Sequence, residues 1–195
     1  LSNFDTSNVQ TMSHMFSNCE SLTNLDLSSF DTSNVTNMSF MFHKCEKLET
    51  LDLSHFDTHN VTDMVQMFFG CSALTTLDVS NFNTENVKAF FLMFAACRSL
   101  TSLDVSSFNT ASATEIDRMF SQCTGLTTLD LHNFDTDNVT NMSDMFFECS
   151  NLKSINISNF ITSKVANFNS MFQGCSNLAS IQAGSANIPA EEYAR

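Results

Sequence analysis

Seven cysteines stand 26 residues apart, at Cys19, Cys45, Cys71, Cys97, Cys123, Cys149 and Cys175. A fixed period of this length constrains the fold more than any local propensity, because each copy of a repeat must bury its apolar face against the next copy. The same step carries the Met-Phe pair from Met15–Phe16 to Met171–Phe172, the leucine from Leu22 to Leu178, and the phenylalanine from Phe4 to Phe160. No insertion or deletion interrupts the seven copies, so they read as one unit stacked in register. With 43% apolar residues the stack has material for a continuous core.

Each unit divides into two halves. In Leu-Thr-Asn-Leu-Asp-Leu at 22–27, Leu22, Leu25 and Leu27 alternate with Asn24 and Asp26, the pattern of a short half-buried strand. Beyond a turn at Phe30-Asp31-Thr32, Val35, Met38, Met41, Phe42 and Cys45 follow helical spacing and fall within an arc of about 120°. Asn34 and its equivalents Asn8, Asn60, Asn86, Ser112 and Asn138 occupy the expected N-cap, and Ser112 with Glu115 makes a capping-box pair; Lys164 breaks the series. The expectation is an α/β fold: a curved, leucine-rich-repeat-like solenoid of seven strand–helix units. Because helices are wider than the strand spacing, its parallel strands would line the concave face. Residues 1–184 would form this single domain and 185–195 a cap or linker. Leu1 aligns with Leu27, so the solenoid is expected to open mid-repeat, with further repeats or another domain before it.

The phrase Leu-Asp-Leu-Ser-x-Phe-Asp-Thr-x-Asn-Val-Thr-x-Met, followed by Met-Phe-x-x-Cys-x-x-Leu, stands almost whole in residues 25–48 and 129–152. It resembles the 26-residue repeat of bacterial surface proteins, the BspA-like branch of the leucine-rich repeats, over residues 1–183. That resemblance implies an extracellular or cell-surface lipoprotein or wall-anchored protein. Its implied role is adhesive, binding a protein or glycan on a host or neighbouring cell, without catalysis. The family brings no universal site residues. The chain departs from its pattern in the apolar stretch 88–96, at Ala113 in place of Val, and at Gln182 in place of Asp.

The formal net charge of −13 disfavours nucleic acid and anionic lipid surfaces as partners. No apolar run approaches the ~20 residues of a membrane span. One cysteine per unit on the apolar stripe points to seven reduced, buried thiols rather than a metal site, whose ligands cluster at short spacing. His55, Asp57 and His59 stand at freely variable surface positions of the repeat and do not read as a metal site, and the glycines form no phosphate loop. The sequons at Asn34, Asn60 and Asn138 arise from the repeat itself. No nucleophile stands beside a positioned base, so the expectation is a protein that is not an enzyme and uses no cofactor or metal. Two surfaces remain. Asp26, Asp52, Asp78, Asp104 and Asp130, flanked by Thr50, Thr76, Ser102 and Thr128, form an in-register row suited to a basic or hydroxyl-rich ligand or, as a row of oxygen ligands only, to weakly held Ca²⁺. Phe40, Val65, Phe69, Phe91 and Leu92 are expected to gather on the helical face as a partner or self-association patch. A structural stalk whose repeats only set length is the rival to both.

Overall fold

The computed structural model describes residues 1, 3–189 and 191. Its repeat is not strand plus helix: the described residues contain no α-helix and three short strands. The expected α/β architecture is therefore replaced by a stack of seven irregular coils. Strands β1 (Thr128–Asp130), β2 (Ser154–Asn156) and β3 (Ser180–Gln182) pair in parallel in the order β1-β2-β3. Leu129, Ile155 and Ile181 stand in register.

The backbone shows why the helix fails. The N–H groups of Met12, His14, Phe16 and Asn18 donate to the carbonyls of Asn37, Ser39, Met41 and His43 in the next coil, at 2.7–3.0 Å. Those of Met15, Ser17, Cys19 and Leu22 instead close turns onto the carbonyl three residues back. A helix would send each N–H four residues back along its own axis. Here alternate peptide groups point along the stack, and two residues per coil take the left-handed conformation to turn them. These are His14, Phe40, Gln66, Leu92, Arg118, Asp144 and Ser170 at one position. Four residues further on they are Asn18, Lys44, Gly70, Ala96, Gln122, Glu148 and Gly174. A run of i→i−3 turns repeats its apolar face about every three residues. The apolar spacing that suggested a helix is thereby met without one.

Parallel bridges tie this side of the coil from Thr11 to Asn37, Asp63, Ala89 and Glu115. Strand-like pairing therefore lies on both sides of the stack. The difference in width between helices and strands, which was the reason for a concave strand face, is absent. With no helix to cap, Asn34, Asn60, Asn86 and Asn138 turn their side-chain amides to carbonyls of the preceding coil, those of Ser7, Ser33, His59 and Ala111. Ser112 and Glu115 likewise have no helix start to box.

The core is a set of ladders. Phe16, Phe42, Phe68, Phe94, Phe120, Phe146 and Phe172 stack face to face, with ring centroids 5.4–6.0 Å apart. The thiols of Cys45 through Cys175 each donate to a phenylalanine carbonyl 29 residues earlier, from Phe16 to Phe146. Buried threonines form a third ladder: Thr32 Oγ1 donates to the Asp57 carbonyl and accepts the Asp57 N–H, and Thr58 and Thr84 do the same one and two coils on. Six cysteines are buried as expected, but Cys19, in the first coil (residues 1–26), is exposed. In the same coil Phe4 is 57% and Met15 40% exposed, against 4% for Phe30 and 0% for Met41.

Candidate functional site

Asp52 begins as a local device. Its Oδ1 accepts the Ser54 N–H at 3.0 Å and the Ser54 hydroxyl at 2.7 Å, closing the turn that ends the inward-outward alternation. Asp26, Asp78, Asp104 and Asp130 accept the N–H two residues on in the same way, from Ser28, Ser80, Ser106 and His132. Asn156 does so for Ser158. This is an Asx turn, which explains why the position tolerates only Asp or Asn through six coils. These bonds favour the charged form. The Ser54 N–H and hydroxyl hold Asp52 below the usual carboxylate range, the Ser80 hydroxyl and N–H do so for Asp78, and the backbone N–H groups of Ser106 and His132 lead for Asp104 and Asp130. The row is ionised at neutral pH.

Above it lies a depression. Thr50, Asp52, Thr76, Asp78, Ser102 and Asp104 line a groove of about 440 Å³ floored by Leu51 and Leu77. It continues as a second hollow of about 370 Å³ along Ser102, Leu103, Asp104, Thr128, Asp130 and His132. Eight of the nine predicted row residues thus meet in one trough across four coils; Asp26 lies outside both hollows. Sequence reasoning missed His132, whose Nδ1 lies 3.0 Å from Asp130 Oδ1, and the leucine floor. The inward half of the alternation contained the signal for the floor. Among the described residues, no hydrogen bond involves the backbone of Thr50–Asp52, Thr76–Asp78 or Ser102–Asp104, whereas the equivalent Thr128–Asp130 is paired as β1. The first groove therefore opens where inter-coil pairing lapses, and its peptide groups are left to solvent or a ligand.

The second predicted surface is altered. Phe40, Val65, Phe69, Phe91 and Leu92 sit on the turn ladder, not on a helical face, and all five are half-buried. His14 stacks on Phe40 with centroids 4.4 Å apart, and His43 stacks on Phe69 at 5.0 Å. His59 pairs with Asp57 at 2.6 Å, and His55 Nε2 lies 2.9 Å from the Leu27 carbonyl. No group of three or more metal-ligating side chains occurs among the described residues, and no described helix is long and apolar enough to cross a membrane.

A family model described as "Mycoplasma protein of unknown function, DUF285" matches residues 1–103, 45–129 and 92–187. No curated protein matches the chain. Among solved structures, a leucine-rich repeat protein from Bacteroides ovatus ATCC 8483 is similar at 21% identity and a TM-score of 0.31. The similarity covers 76% of this chain and 53% of that one, so the chain spans about half the length of the structure it matches.

Proposed function

Matched along almost its whole length, the chain belongs to the DUF285 family of repeat proteins, and on that premise we propose that it is a non-catalytic binding scaffold whose ligand lies in the acidic trough. One observation supports this reading above the others. Four successive coils bring Asp52, Asp78, Asp104 and Asp130, each beside a threonine or serine, into one continuous depression with an apolar floor. Such a surface offers carboxylate and hydroxyl acceptors at one interval per coil, which fits an elongated protein or glycan rich in cationic or hydroxyl groups. The BspA-like resemblance of the repeat extends the reading to adhesion at a cell surface.

The Asx turn makes the test clean, because asparagine keeps the acceptor that closes it. The triple variant Asp52→Asn, Asp78→Asn, Asp104→Asn is expected to keep the fold and to lose the targets that the unaltered chain retains on arrays of glycans and extracellular matrix proteins. Equal retention by the two proteins would remove the trough as the binding face. The alternative is a stalk or self-association module acting through the outer row at Phe40, Phe69 and Leu92, which are half-buried rather than enclosed. Sedimentation at high concentration separates it: a concentration-dependent dimer that Leu92→Ser abolishes would favour self-association.

A further inference from the structure

We infer that His43 is a pH-sensitive latch on the outer row of the first three coils, stacked on Phe69 beside Phe40 as a neutral imidazole and leaving that place as an imidazolium. The row is built by the repeat. Phe40 is stacked on His14 of the coil before, and His43 lies 5.5 Å from Phe40, tilted at 52°. Its other neighbour is Phe69, 26 residues on, with centroids 5.0 Å apart and planes within 13°. His43 therefore occupies, in its own coil, the place that a phenylalanine takes in the next.

What distinguishes His43 from an aromatic filler is its Nδ1, which is buried and has no hydrogen-bond partner among the described residues. A neutral imidazole can leave that nitrogen as an unused acceptor. An imidazolium cannot, because both nitrogens then carry N–H groups and the buried one would be a charged donor without an acceptor. The surroundings give it no help. The charged groups facing it are Lys44 on its own coil and His14 on the preceding one, both cationic when protonated, while the next coil presents uncharged Gln66 and Phe69. Burial, ahead of the two cations, holds the imidazole below its ordinary value. A cation is also drawn to the face of Phe69. That attraction gives the buried Nδ1–H no acceptor, and the unpaired charged donor is penalised only inside the stack. Protonation therefore favours the ring outside, which uncovers the Phe69 face and one side of Phe40.

The sign follows from linkage. A folded-state value below the unfolded one leaves stability unaffected well above pH ~6.5 and removes it as the pH falls from there toward the folded value. The depressed carboxylates act lower, below their ordinary value of 3.8, so the two effects separate. The experiment follows the five imidazoles by NMR from pH 7.5 to 5. In parallel, binding of an apolar fluorescent dye and circular dichroism are recorded for the unaltered chain and for His43→Phe. The expected result is a His43 midpoint shifted below that of a free imidazole and a rise in dye binding over the same interval with unchanged circular dichroism. In His43→Phe, which keeps the stack without a titrating ring, that rise is lost. The same rise in His43→Phe would overturn the latch. So would an ordinary midpoint for His43 in the unaltered chain, a readout that does not depend on the variant folding.

Discussion

From Cys45 to Cys123 burial pushes the cysteines up, to about 11 for Cys45 and about 12 for Cys123, and at Cys149 a hydrogen bond with Cys175 does so ahead of burial. A thiolate in the core would have no counter-charge, and each Sγ is already spent as a donor to a phenylalanine carbonyl one coil back. Reactivity follows thiolate fraction and access. Native protein is therefore expected to label at one fast site, Cys19, and at all seven after denaturation; Cys19→Ser should abolish the fast phase, and fast labelling of a second thiol would contradict the buried ladder. The pH consequence has a definite sign. Because the folded values lie above the ordinary 9.0, the neutral thiols stabilise the chain fully below pH 9. That contribution is lost as the pH rises toward 11–12. Thermal midpoints should fall steeply above pH 9, and a flat alkaline profile would show that the thiols are accessible in the native state.

At the scale of one coil, the threonine ladder and the left-handed turns decide stability. Thr84 is 1% exposed and satisfies both the carbonyl and the N–H of Asn109 through one oxygen, at 2.9 and 2.8 Å. Thr84→Val preserves its shape but leaves both peptide groups unpaired, which costs about 2–4 kcal/mol. Thr84→Ser should recover most of that loss in denaturant melts. Ala96 holds a left-handed conformation that Gly70 and Gly174 occupy in other coils. Ala96→Gly is therefore expected to be neutral or stabilising by up to ~1 kcal/mol, the reverse of the usual effect of glycine. Such residues also mark what could be read in advance. The period, the inward set Val35, Met38, Met41, Phe42 and Cys45, and the in-register aspartates were all legible, because register and burial leave their imprint on side-chain chemistry. The path of the backbone was not. His14, Phe40, Gln66, Leu92 and Arg118 adopt positive φ without being glycine, and spacings of three and one suit a succession of tight turns as well as a helix. The trough was legible as a row of acids, whereas the task that each acid performs for its own Ser54 or Ser80 was visible only once the turn was.

Across the whole molecule, stability is shared between neighbouring coils. Hydrogen exchange should be fastest in the first coil, where Leu1, Phe4 and Met15 are exposed, and slowest around Phe68, Phe94 and Cys97. Uniform protection along the chain would show that it unfolds as one unit. The turn ladder has an electrostatic result as well. In passing from the first coil to the second, four N–H groups, those of Met12, His14, Phe16 and Asn18, all point toward the C-terminal end, and the pattern recurs at the next junctions through Phe40, Gln66 and Leu92. Fewer bonds run the other way, such as Thr36 N–H to the Gln10 carbonyl. Peptide dipoles aligned head to tail add. The solenoid is accordingly polarised although its described residues contain no α-helix, and its negative side is the one on which the coil carrying Phe4 and Cys19 lies, where N–H groups turned along the stack leave carbonyl oxygens facing outward.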